Sequence, residues 1–167
     1  MNSKKLYIFN LLVKILPPSR CLGLKRKLLR WCGAKVGNNV EIFTPSIQGN
    51  FNLEIGDNVF IGHEALIFGA AGSTIRIEDY AKIGSRVVVV TGTHTFSLDG
   101  PCIEGPGIYK NVTIKSGSVV STGSTILPGK TIGIKAHVAA GSIVTHDVPD
   151  MVRVAGAPAK IIKDFRS

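Results

Sequence analysis

Ile114-Lys115-Ser116-Gly117-Ser118-Val119, Val120-Ser121-Thr122-Gly123-Ser124-Thr125 and Ile126-Leu127-Pro128-Gly129-Lys130-Thr131 are consecutive hexads of one pattern. Each opens on an aliphatic residue, and the beat continues through Ile132, Val138 and Val144. It also runs earlier, as Ile55, Ile61, Ile67 and as Ile77, Ile83, Val89. A helix repeats every 3.6 residues and a strand every two, so neither sustains a period of six. A stacked coil does: each hexad contributes one short strand and one corner, and every sixth side chain points at a common axis. The expected fold is therefore an all-β solenoid, with function at the places where the period breaks.

Size and composition agree with this. A chain of 167 residues is one domain with terminal additions, and 19 glycines with a charged fraction of 19% suit a tightly turning β protein. Three cysteines, Cys21, Cys32 and Cys102, form neither a disulfide framework nor a metal-ligand spacing, which points to a reducing compartment. Charge is concentrated at the front. Residues 1–35 hold nine basic side chains and no acidic one, matching the whole net charge of +9. The rest of the chain is balanced, with 11 basic and 11 acidic residues. A neutral body argues against a nucleic-acid binder. One basic end fits a solvated helical face, steering of an anionic substrate, or contact with anionic lipid.

Three regions follow: a basic helical segment over 1–35, the coil over 36–149 and a C-terminal extension over 150–167. Leu6, Phe9, Leu12, Val13 and Leu16 have helical spacing, and Pro17-Pro18 ends that helix. Leu22 to Trp31 reads as a second helix, stopped by Gly33. Both are expected to cover the open end of the coil, an edge that otherwise invites aggregation. The apolar stretch Leu6–Leu16 is too short to span a bilayer, and Pro17-Pro18-Ser19-Arg20 is no signal-peptide cleavage site. A cytoplasmic protein is expected, with peripheral membrane contact open through residues 1–35. Within each hexad, the Gly, Asn and Asp that follow the aliphatic are expected to supply corner dihedrals.

The period breaks twice. A short excursion through Gly69-Ala70-Ala71-Gly72 separates Ile67 from Ile77. A longer one, about 94–112, separates Val89 from Ile114 and is rich in Gly and Pro, so it reads as a projecting loop. His94 stands at its mouth.

Thr91-Gly92-Thr93-His94, Ile126-Leu127-Pro128-Gly129 and Val154-Ala155-Gly156-Ala157-Pro158-Ala159-Lys160 carry a resemblance. Together they are similar to the hexapeptide-repeat acyltransferases, above all the sugar and polysaccharide O-acetyltransferase branch with the galactoside and maltose acetyltransferases. The resemblance covers nearly all of Val36 to Phe165. It implies a left-handed parallel β-helix with three hexads per triangular turn, a homotrimer with sites between neighbouring coils, and acetyl-coenzyme A as co-substrate without a metal.

It also implies roles for single residues. His94 matches the histidine that deprotonates the acceptor for direct attack on the thioester, chemistry that an imidazole can perform near neutral pH. Asp79, Asp99 and Glu104 are the carboxylates that could orient it. Thr122 and Ala140 match the pantetheine channel, Thr145 a hydroxyl contact, His146 a position often held by lysine, and Lys160 and Lys163 cations near the nucleotide phosphates. Asn50, in Asn50-Phe51-Asn52-Leu53, resembles an acceptor-binding asparagine, although its spacing to His94 is longer than in galactoside-type enzymes. The family's Trp-Ile-Gly step reads Val119-Val120-Ser121 here, which removes an aromatic wall from the channel. His63 and His137 are expected on turns, His63 as exposed decoration.

The expected reaction is O-acetylation of a saccharide. N-acetylation of an amino sugar or xenobiotic, and a noncatalytic scaffold, are the alternatives. A metal-dependent hydratase on the same type of coil needs three converging imidazoles, and the close His pair of such a site is missing from this sequence.

Overall fold

Every hexad aliphatic from Ile55 to Val144 is buried, and together these residues form one continuous core. The computed structural model describes residues 1–167. Three parallel sheets run along it. The first face joins strands 35–36, 52–55, 74–77, 112–114 and 131–132; the second joins 41–42, 60–61, 82–83, 119–120, 137–138 and 152–155; the third joins 46–49, 66–69, 88–90, 125–126 and 143–144. The chain visits them in that order on every turn, giving a left-handed parallel β-helix of about five turns. Aliphatic stacks on aliphatic: Ile61 pairs with Ile83, Ile83 with Val120, Val120 with Val138 and Val138 with Val154. The inward position two residues earlier is small in several turns, as at Ala81, Ser118, Ser124 and Ser142, and holds a larger aliphatic in others, as at Leu53 and Ile75.

The corners divide the glycines into two kinds, which the sequence pattern alone does not separate. A left-handed residue recurs three places after the aliphatic: Asn58, Glu64, Tyr80, Arg86 and Lys135 there have φ of 52° to 60°, and Gly117, Gly123, Gly129 and Gly141 fill the same place in other coils. The glycine directly after the aliphatic has a different reason. A Cβ on Gly84 would stand 2.8 Å from Thr122 N, and one on Gly133 would stand 2.5 Å from Asp150 N. The next coil lies too close for any side chain. Corner aspartates use the same proximity. Asp57 Oδ1 accepts the Asn38 N–H at 2.6 Å, Asp79 Oδ1 accepts that of Asp57 at 2.7 Å, and Asp150 Oδ1 accepts that of Ile134 at 2.8 Å.

Two helices precede the coil. Helix α1 (Ser3–Ile15) buries Leu6, Phe9 and Val13, and α2 (Leu22–Trp31) buries Lys25 and Leu29. Their side chains satisfy backbone groups of the first coil, which has no preceding coil to bond. Asn10 donates to Ile47 O at 2.7 Å and accepts from Ile47 N at 3.0 Å, replacing a strand on the third face. Arg26 donates to Val40 O and Arg30 to Val36 O and Gly37 O. Lys25 is fully buried, its ammonium donating to Pro17 O, Pro18 O and Phe43 O at 2.6 to 3.0 Å. Burial pulls its pKa below the ordinary lysine value. Several of the nine front cations therefore serve the coil rather than a solvated face.

The looped-out segment is ordered. Gly92–Phe96 and Glu104–Tyr109 form an antiparallel hairpin projecting from the coil, so the expected loop is itself a two-stranded sheet. At the far end, the parallel run continues to Ala155, past residue 149, and Lys160–Asp164 then folds back antiparallel on Val152–Ala155. No helix is long and apolar enough to cross a membrane.

The two kinds of glycine respond differently to alanine. Gly84→Ala overpacks a closed contact and is expected to destabilise by about 3 kcal/mol. Gly123→Ala meets open space and carries only the left-handed cost of about 1 kcal/mol. Urea unfolding of the two variants measures the difference.

Candidate active site

The hairpin leaves the coil at the corner between the third and first faces, and a buried polar cluster holds its base. Thr91 Oγ1 accepts the Ala70 N–H at 2.9 Å and lies 2.6 Å from Ser73 Oγ, which donates to Ala70 O at 2.6 Å. Lys110 N donates to Thr91 O at 2.9 Å and closes the hairpin's foot. Thr91 and Ser73 are fully buried, so these bonds are unshared with solvent. The two interruptions of the period thus touch. Ala70 lies against Gly92, where a Cβ would stand 3.2 Å from its own, and the Tyr109 hydroxyl would stand 2.8 Å from a Cβ on Gly72. The Thr-Gly pair before Thr93-His94 is explained by this contact.

His94 sits in the first hairpin strand opposite Gly107, just before a register shift. Its Nδ1 is 3.1 Å from Gly105 O. A carbonyl only accepts, so this bond assigns the proton to Nδ1 and leaves Nε2 as the basic nitrogen of the neutral ring. Nε2 faces Glu104 Oε1 at 3.1 Å. Glu104 is the carboxylate that pairs with His94: Asp79 is engaged by the Asp57 N–H, and Asp99 lies in the hairpin's connecting turn. The Glu104 contact is attractive when the ring is an imidazolium. In the neutral ring two electron-rich atoms face each other, so Glu104 must turn aside before Nε2 can accept a proton. Both side chains are about half exposed, which leaves room for that movement.

The remaining predicted residues occupy two edges of the prism, on either side of the third face. Asn50, the 69–73 excursion, the His94 hairpin, Pro128-Gly129 and Thr145-His146 follow one another along the edge between the third and first faces. Asn50 stands two coils from the hairpin, about 10 Å of stacking. Thr145 Oγ1 is 2.9 Å from His146 Nδ1. Thr122 and Ala140 stack on the other edge, between the second and third faces, where Gly141 N donates to Thr122 O at 3.0 Å. Space beside Gly123 and Gly141 is open, so this edge presents a smooth track for an extended chain. Lys160, paired with Ala155, stands exposed near its end. Lys163 lies farther round, opposite Arg153, with its ammonium 5.4 Å from the Phe165 ring. The six cofactor candidates do not converge within one chain.

The other histidines differ from expectation. His63 is at a corner but half-buried, with Nδ1 3.1 Å from Thr44 Oγ1 and its ring edge-on to Phe43. His137 is in a strand, not on a turn. Its Nδ1 accepts from Arg153 Nε at 2.9 Å, so Nε2 carries the proton and donates to Ser121 Oγ at 2.8 Å. Burial first, then the Arg153 charge, holds the His137 pKa below the ordinary imidazole value. No three His, Cys, Asp or Glu side chains come together. Ser73, Tyr109 and Lys110 were not singled out from the sequence, and Thr91 only as part of the motif that ends in His94. The only signal for them was their position beside the two breaks.

No protein-family model matches the sequence, but individual proteins do. Galactoside O-acetyltransferase of Escherichia coli is 30% identical over 148 residues, which cover 84% of this chain and 68% of that protein. The chain belongs to the hexapeptide-repeat acetyltransferases. A galactoside acetyltransferase solved in complex with coenzyme A superposes with a TM-score of 0.72 at 23% identity, over 96% of this chain and 77% of that one, and so shares the fold. A mutant of AntD, an N-acyltransferase from Bacillus cereus solved with dTDP and coenzyme A, gives 0.67 at 27% identity, over 78% and 77%. The chain spans only 54% to 57% of the length of other curated relatives it matches, a putative acetyltransferase of Saccharomyces cerevisiae and the serine acetyltransferases of Bacillus subtilis and Bacillus licheniformis.

Because the fold disfavours a charged His137, the unfolded chain binds its proton first as pH falls below about 6.5. Stability is therefore full above that value and declines below it. His137→Gln keeps one amide donor and one acceptor at this position and does not titrate. Between about pH 7.5 and pH 5.5 the wild-type urea midpoint is expected to fall further than that of the variant.

Proposed function

We propose that this hexapeptide-repeat protein is an acetyl-coenzyme A-dependent O-acetyltransferase of a saccharide, a surface polysaccharide or its precursor, with His94 as general base. The observation that carries the reading is the His94 geometry: Nδ1 is held by Gly105 O, which leaves Nε2, beside the half-exposed Glu104 carboxylate, as the basic nitrogen. Bound acetyl-coenzyme A supplies the acetyl thioester. His94 Nε2 accepts the proton of the sugar hydroxyl as its oxygen attacks the thioester carbonyl, then returns that proton to the sulfur as the carbon–sulfur bond breaks. The products are the sugar ester and the free thiol, and no bond to the enzyme forms. Glu104 stabilises the imidazolium between the two transfers. Thr122 and Ala140 flank the track suited to pantetheine, and Lys160 and Lys163 supply cations toward the phosphates. Asn50, on the His94 edge, is assigned to the acceptor.

The split between two edges supports a homotrimer. Packing the His94 edge of one copy against the Thr122–Ala140 edge of the next would bring base and cofactor track together. Thr145 and His146 would then meet the cofactor from the His94 side. The reading places the enzyme in the cytoplasm. The N-acyl activity of AntD keeps an amino acceptor as a second reading, separated by the product's stability to mild base, which cleaves esters and spares amides.

His94→Ala is expected to lower turnover by about 10²-fold or more, with an unchanged melting profile. Thiol release from acetyl-coenzyme A over a panel of sugars and amino sugars measures it. Near-wild-type turnover in the variant would remove His94 from the mechanism, and a monomeric mass by light scattering would remove the two-edge site.

A further inference from the structure

An ordinary surface helix shows one apolar face. Helix α1 shows two. Its inward face is Leu6, Phe9 and Val13. Its outward face is Tyr7, Ile8, Leu11 and Ile15, 44% to 73% exposed, at the i, i+4 and i+8 spacing of a single stripe. Lys4 and Lys14 sit at the two ends of that stripe. Helix α2 repeats the arrangement with Leu24 and Trp31, 48% and 46% exposed, and with Lys27 between them. Lys5 joins the two helices, its ammonium 3.3 Å from Trp31 O and 4.8 Å from the centre of the Trp31 ring.

Charge identifies the occupant. Once Lys25, Arg26 and Arg30 are assigned to first-coil and turn carbonyls and Lys35 to Glu54, Lys4, Lys14, Arg20 and Lys27 remain without an acidic partner. Residues 1–35 contain no Asp or Glu, so matching this surface to itself on a second copy sets cation against cation. A nucleic acid offers nothing to Ile8, Leu11, Ile15 and Leu24. An anionic bilayer satisfies both features: acyl chains receive the stripe, headgroup phosphates receive the lysines, and Tyr7 and Trp31 suit the boundary between them.

We propose that α1 and α2 seat this protein on an anionic lipid surface, with Leu11, Ile15 and Trp31 entering the headgroup layer and Lys4, Lys14 and Lys27 on lipid phosphates. The proposal does not depend on the acetyl-transfer reading, although it would hold such an enzyme beside lipid-linked acceptors.

The full chain is sedimented with phosphatidylcholine vesicles, with and without phosphatidylglycerol. Binding to anionic vesicles is expected to exceed binding to neutral ones by about tenfold or more and to weaken in high salt. Leu11→Glu with Ile15→Glu is expected to lower it by about tenfold with the melting profile unchanged. Lys4→Ser with Lys14→Ser, which leaves the apolar stripe intact, is expected to remove the preference for anionic lipid. Absence of wild-type binding, equal binding to both vesicles, or undiminished binding in both double variants overturns the proposal. So does a fall in oligomeric mass in the glutamate variant, which would make the stripe a contact between copies. Acetyl-coenzyme A turnover with a soluble acceptor is read in parallel, so loss of lipid binding and loss of catalysis are distinguished.

Discussion

The structure depends on the distance between one coil and the next, the spacing of a parallel ladder, about 4.8 Å. At that spacing every strand bonds the strands before and after it, and like side chains stack along the axis. The same closeness excludes a Cβ at Gly84 and Gly133 and lets Asp57, Asp79 and Asp150 reach across to a neighbouring N–H. It also creates a difficulty at each end, where backbone groups have no next coil. At the front, Asn10 replaces a strand with its side-chain amide, and Lys25, Arg26 and Arg30 bring charged donors to free carbonyls. At the back, Lys160–Asp164 folds over the last parallel strand.

A ladder this regular tolerates insertion only at its corners, where backbone groups can turn outward without breaking a rung. Both insertions lie on the same edge, in successive coils, and Thr91 with Ser73 joins them through bonds hidden from solvent. The hairpin is thus a projection with a rigid foot. The role proposed for His94 needs this, because a base that swings freely cannot hold one nitrogen toward an acceptor. Gly105 O, from the returning strand, then sets the orientation of the neutral ring, and Glu104 of the same strand meets Nε2.

Much of this was legible in the period. The aliphatic beat located the core, its two breaks located the excursions, and Thr91-Gly92-Thr93-His94 located the candidate base. The glycines were legible only as glycines. Gly84 and Gly123 look alike in sequence, yet a neighbouring coil closes the first to any side chain, while the second has open space and a left-handed dihedral that other residues adopt in equivalent corners. The basic front misled in part, since Lys25 reads as surface charge and is fully buried. His137 also misled, because its position in the hexad does not reveal that Arg153, a coil away, donates to it.

The sequence by itself determined the coil, its register and the place of His94, because all three follow from a short repeat and its interruptions. Only the tertiary structure decided which carboxylate meets His94, which cations serve the coil end and which remain free, and which edge holds each candidate contact. Those outcomes depend on pairings between residues that are far apart in the chain. Glu104 reaches His94 through the register of a hairpin with a shift in it. Thr122 and Ala140 stand across the third face from Thr145, although Thr145 lies only five positions beyond Ala140. A period of six repeats every corner alike, and only the folded prism shows which corner faces which.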